Sequence, residues 1–131
     1  MYFLNTKEYD NENDNDNSTV IYTELNGYKF MLMGDAGVEK EKDILEKYNL
    51  NNIDVLKVGH HGSKTSSSPN FINSINPKYA LISVGKDNKF NHPNTTVLNT
   101  LSLSKILRTD IDGSVEIILT KNNYVINTCP P

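Results

Sequence analysis

Residues 55–69 read Val55-Leu56-Lys57-Val58-Gly59-His60-His61-Gly62-Ser63-Lys64-Thr65-Ser66-Ser67-Ser68-Pro69. A short apolar run stops at Val58 and meets a histidine pair bracketed by glycines. A hydroxyl-rich stretch follows and ends in Ser68-Pro69, a cap followed by proline at the first helical position. This is a strand, a loop and a helix in succession, the repeating step of an α/β layer structure.

Working outward, the same alternation continues on both sides. Upstream, Thr19–Leu25 and Tyr28–Met33 are β-branched and aromatic runs around Asn26-Gly27, a strong local hairpin signal. The second run ends in Gly34-Asp35-Ala36-Gly37. Residues 38–48 predict a helix with Val38, Leu45 and Ile44/Tyr48 near one face and Glu/Lys on the other. The central strand is then 53–58 and the next helix 69–75, burying Phe71, Ile72 and Ile75. Lys78–Val84 is nearly continuous in apolar residues, which predicts a strand buried on both faces. A polar loop at 85–93, a helix at 95–103, a brief strand at 105–108 and a turn at 110–113 follow. A hairpin of 114–120 with 124–127 closes the chain. Residues 1–18, with the acidic tract 9–18, predict a polar segment that is a loop or disordered. Its Asp/Asn alternation fails as a calcium loop, because neither Gly nor Glu falls at the required positions.

At 131 residues the chain is one domain, with 13 Lys/Arg against 16 Asp/Glu and a net charge of −3. That balance excludes duplex binding driven by bulk charge. A single cysteine, Cys129, excludes a disulfide framework and a Cys-based zinc site. No apolar run approaches the ~20 residues of a membrane span, and the N-terminal residues do not read as a signal peptide. Membrane spans, collagen and small secreted toxins are thereby excluded. No Gly-x-Ser-x-Gly, P-loop or dinucleotide fingerprint occurs.

Three positions fall just past strand ends, where open α/β sheets place their sites. Asp35 is a metal ligand, a general base or a helix N-cap. His60-His61 offers one ring to a metal and the other to a substrate or proton, or is a hydrogen-bonded loop pair. His92, in Asn91-His92-Pro93, is a turn histidine or a phosphate or metal contact. Ser63, Thr65, Ser66, Ser67 and Ser68, with Lys64 among them, open a helix; they are an anion site or a plain polar loop. Cys129 has no His or Asp beside it and is not read as a nucleophile.

Taken together, Gly34–Gly37, Val55–Ser68, Pro77–Lys86, Asn91–Pro93, Arg108–Asp110 with Asp112-Gly113, and Asn15–Val20 upstream resemble the metallo-β-lactamase-type domain at the C-terminal end of ComEC competence proteins. The resemblance covers roughly residues 15–125. It implies an αβ/βα sandwich of two similar halves, with one or two divalent metals, zinc or manganese, at the edge between the sheets. Asp35 then matches the aspartate that bridges the metals. One of His60 and His61 matches the late histidine ligand, with His60 favoured because it is nearer the strand end. His61 and His92 take catalytic roles, and Ser63, Lys64, Thr65, Ser66, Ser67 and His92 contact phosphate. Lys57, Lys86 and Lys89 steer it. The implied activity is nucleolytic cleavage of DNA during uptake, by a domain on a soluble side of a membrane protein.

The sequence departs from that pattern in one large way. Its three histidines are His60, His61 and His92, so the superfamily's His-x-His-x-Asp-His motif is absent. The expected fold is therefore α/β: the C-terminal half of such a sandwich, over residues 19–128, a mixed sheet with helices packed on it. Alone it is expected to hold metal weakly or not at all and to have little or no activity. Its partners are then DNA in the intact protein, and either the missing N-terminal half or a second copy of the chain. Two other readings are a non-catalytic, self-associating binding module and a hydrolase of a small ester or lactone.

Overall fold

A computed structural model describes residues 1–10 and 14–130. The centre of the acidic tract, 11–13, lies outside the described residues. Strand β1 (Tyr2–Phe3) pairs antiparallel with β2 (Ile21–Leu25), which reverses into β3 (Tyr28–Leu32). The reversal is made by Asn26 and Gly27, both at positive φ (53° and 82°), as an Asn-Gly hairpin requires. From β3 onward the sheet is parallel: β4 (Val55–Lys57), β5 (Tyr79–Ile82) and β6 (Lys105–Arg108) join in chain order. The result is a six-stranded mixed sheet ordered β1-β2-β3-β4-β5-β6.

Three helices make the parallel crossovers: α1 (Val38–Lys47), α2 (Pro69–Ile75) and α3 (Thr95–Thr100). Crossovers of one hand that all step the same way across a sheet land on the same face. The core agrees. Ile44 of α1, Phe71, Ile72 and Ile75 of α2, and Val97 of α3 join Met31, Leu56, Ala80 and Ile82 in one buried cluster. Ser68 caps α2 by accepting the Phe71 N–H at 3.3 Å. The helix expected at 95–103 ends at Thr100: Leu101 is its C-cap and sits in the core, while Leu103 stands in solvent with no burial to extend the helix to it.

The opposite face is covered only in part. A one-turn helix α4 (Thr109–Asp112) leads into the hairpin β7 (Ser114–Leu119) and β8 (Tyr124–Cys129). Tyr124 packs edge-on against Tyr28 at 4.7 Å and against Tyr79 at 6.0 Å. Asn26 donates to the Thr120 carbonyl and Tyr28 to that of Asn122. This hairpin shields the beginnings of β3 and β5 but not their ends. Strand β5 is thus not buried on both faces as its composition predicts: Ala80 and Ile82 are buried while Tyr79 and Leu81 are half-exposed. A mixed sheet with helices on one face and the other partly open is the form of one half of a layered sandwich.

Two further expectations are revised. Residues 1–10 do not all form a polar loop, because Tyr2–Phe3 extends the sheet and Leu4 and Tyr9 are buried. Tyr9 exchanges hydrogen bonds with Asn17, accepting from Asn17 Nδ2 and donating its backbone N–H to Asn17 Oδ1. In α1, Val38 is 47% exposed, and the buried positions are Lys40, Glu41 and Ile44. The loop after β4, not the sheet, occupies the first turns of that helix.

Candidate functional site

Parallel strands in one direction carry their following loops to one edge. The loop after β3 brings Asp35, that after β4 brings His60 and His61, and that after β5 brings His92. Asp35 is not the cap of α1. The cap position is Gly37, whose N–H donates to Asp16 Oδ1 at 2.8 Å, and the Asp35 N–H donates to Ser18 Oγ at 3.2 Å. The Asp35 carboxylate is left half-exposed at the sheet edge.

His60 and His61 both adopt left-handed backbone (φ 45° and 54°) in a tight turn from Gly59 to Gly62. Gly62 also has positive φ (79°) and lies against Pro93. The turn aims the two rings apart. His61 Nδ1 lies 2.6 Å from the Ser83 carbonyl, so that nitrogen is the donor and Nε2 faces Asp35 Oδ1 at 3.8 Å. A backbone carbonyl that fixes the far nitrogen is the usual support of a metal-binding imidazole. The approach to Asp35 is therefore made by His61, where nearness to the strand end favoured His60. His60 turns the other way: its Nδ1 lies 3.4 Å from both Asn15 Nδ2 and Thr65 Oγ1, and its ring meets His92 edge-on at 5.8 Å. Burial, and then the neighbouring His60 and His61, hold the His92 imidazole below its ordinary range. Lys57 is half-buried beside this edge. Burial pushes its ammonium down, the Asp35 charge opposes that, and its Nζ donates to the Val58 carbonyl at 3.1 Å.

The hydroxyl-rich loop divides in two. Ser63, Ser66 and Ser67 are buried, and the Ser66 hydroxyl is spent on the Gly59 and Ser63 carbonyls. The backbone N–H groups of Ser67 and Ser68 point at Glu41, whose carboxylate accepts both. The anion expected at the opening of α2 is thus the protein's own carboxylate. Only Lys64 and Thr65 of this set remain exposed.

Composition hid several participants. Asn15, Asp16 and Ser18 belong to a stretch that reads as a solvated loop, yet a short 3-10 turn at Asp14–Asn17 and the residue after it deliver them to His60, Gly37 and Asp35. Glu41 reads as one of many surface charges of α1. A tetrahedral zinc site takes three or four protein donors. Asp35 and His61 are two of suitable chemistry, and among the described residues no three His, Cys, Asp or Glu side chains converge. These residues do not by themselves complete a metal centre.

No family model matches the chain. Among curated proteins, it is 35% identical to "ComE operon protein 3" of Bacillus subtilis (strain 168) over 133 aligned positions, all of this chain and 17% of that protein. It is 38% identical to "Competence protein ComA" of Neisseria gonorrhoeae, over 87% of this chain and 17% of that protein. It is 36% identical to "Recombination protein 2" of Haemophilus influenzae, over 79% of this chain and 13% of that protein. The chain therefore spans about a sixth of the length of the first two relatives. No helix among the described residues is long and apolar enough to cross a membrane.

Proposed function

We propose, from the premise that this chain belongs to the ComEC-type competence proteins as one domain-sized segment of them, that it is half of a metallo-β-lactamase-type domain. On this reading it carries part of a metal-dependent phosphodiesterase site that acts on DNA during uptake. The observation that supports the reading is the approach of His61 to Asp35 at adjoining strand ends, with the far nitrogen of His61 tied to Ser83. A carboxylate and an imidazole so arranged offer two donors to a divalent cation such as zinc or manganese. Lys64 and Thr65 are exposed for a phosphate in the loop that follows the histidine pair, with Thr65 Oγ1 3.4 Å from His60 Nδ1, and His92 presents an imidazole that burial holds below its ordinary range. Two donors make no hydrolytic centre, so the remaining ligands come from outside this sequence, and the chain alone is inactive.

The test is zinc titration followed by NMR of the histidine rings, with elemental analysis after dialysis against zinc and against manganese. Zinc should shift the His61 ring, bind with less than one equivalent retained on dialysis, and lose that effect in Asp35→Ala. Zinc that leaves His61 unshifted would remove the metal reading. DNA cleavage by the chain alone would remove the half-site reading.

A further inference from the structure

The loop between β5 and α3 carries a large aromatic side chain in water. Phe90 is 65% exposed. The loop is not slack. Asn88 ties it from both ends of its side chain, accepting the His92 N–H at 2.9 Å and donating to the His92 and Gly85 carbonyls. The Phe90 ring stacks on His92 at 5.8 Å with 21° between the planes, and His92 meets His60 at 5.8 Å. Two ring-to-ring steps thus connect an exposed aromatic face with the histidine cluster. Lys89 Nζ lies 4.9 Å from the Phe90 centroid, and Lys86 is exposed in the same loop.

An exposed aromatic with one lysine ammonium over its ring and a second lysine in the same loop, leading to a phosphate-handling edge, has the chemistry of a single-strand contact. There a base stacks on the ring and the backbone follows the positive groups. We propose that Phe90 is a nucleobase-stacking platform: it receives the base of a single-stranded nucleic acid whose phosphodiester lies at the Asp35–His61 edge. This rests on the phosphodiesterase reading above and adds to it that the substrate is held by a base as well as by phosphate. The chain's net charge of −3 fits a local platform better than a broad cationic duplex surface. Because stacking needs only a π-face, the platform is tolerant of base identity.

The test uses the full chain at low salt, titrated with a thymidine dodecanucleotide and with an abasic oligomer of the same length, read by NMR shifts of the Phe90 and His92 rings and of the backbone. The base-bearing oligomer should bind more tightly than the abasic one and move the Phe90 ring. Phe90→Ala should weaken it roughly tenfold without changing abasic binding, and Phe90→Tyr should restore it. Equal binding of both oligomers, unchanged in Phe90→Ala, overturns the platform and leaves the phosphate reading standing. Failure of both to bind overturns both.

Discussion

The Glu41 carboxylate accepts the backbone N–H of Ser68 at 2.9 Å from a position with 1% of its surface exposed, and takes that of Ser67 as well. A helix residue thereby anchors the loop that carries the histidine pair. Glu41→Ala leaves a buried donor, Ser67 N–H, and a part-buried one, Ser68 N–H, without their acceptor and is expected to cost about 2–4 kcal/mol, measured by urea unfolding. The pH dependence follows from the raised pKa of Glu41, caused first by burial and opposed by the Ser68 and Ser67 hydrogen bonds. The folded state holds this proton more tightly than the unfolded chain. Its contribution is full below the ordinary value of 4.5 and is lost as pH rises through the folded value. Glu41→Gln should flatten that part of the stability profile, and an unchanged slope would contradict the assignment.

Gly62 is the closest backbone approach at the site. A Cβ there would stand 2.6 Å from the Pro93 Cβ, at a backbone φ of +79°. Proline cannot move aside as a flexible side chain would. Gly62→Ala is expected to destabilise by about 2 kcal/mol and to shift the His92 ring signals in NMR, because His92 precedes the displaced proline. Wild-type stability with unmoved His92 signals would count against this packing.

Arg108 grips Asp110 with two nitrogens, at 3.0 and 2.6 Å. The Arg108 hydrogen bonds hold the Asp110 carboxyl below its usual range. A lowered carboxylate contributes stability above its unfolded value of 3.8 and loses it as pH falls through the folded one. A double-mutant cycle with Arg108→Met and Asp110→Asn should give a coupling of about 1 kcal/mol at neutral pH that vanishes once the pH has fallen below the folded value of Asp110. A coupling that persists in acid would mean the pair is not acting as an ion pair.

The N-terminal segment is held by Tyr9, which donates to Asp43 at 2.6 Å with Lys7 and Lys40 nitrogens 5.1 and 5.3 Å from its ring. Burial, and then the Asp43 hydrogen bond, push its phenol up to about 12. Spectrophotometric titration of the parent against Tyr9→Phe should show one tyrosine ionising late. Asp43→Asn should bring that ionisation partway down, since burial remains. A tyrosine of ordinary pKa would show that the segment is not docked.

What the sequence showed, it showed where the cause is local. Asn26-Gly27 demands a reversal, Ser68-Pro69 starts a helix, and alternation around His60-His61 announces a strand end. The helix 69–75 and the strand 105–108 come out at their expected bounds. The positions of Asp35 and the histidine pair were legible for the same reason. The partners of those residues were not. Ser18 reaches Asp35 across 17 positions, Asp16 reaches Gly37 across 21, Glu41 reaches Ser67 across 26 and Asn15 reaches His60 across 45. At such separations no periodicity connects them, and an Asn/Asp tract reads the same whether it is solvated or docked.

By itself, then, the amino-acid order determined the alternation of strands and helices, the reversals, and the placing of chemistry-bearing residues after strand ends. Each of these follows from backbone preferences and side-chain periods spanning a few residues. Tertiary structure alone decided that His61 rather than His60 approaches Asp35, that Glu41 takes the N–H groups a phosphate was expected to find, and that Phe90 stands in water beside His92. Those outcomes depend on left-handed backbone at two successive histidines and on which buried donors find an acceptor, and both are settled only when distant segments pack together.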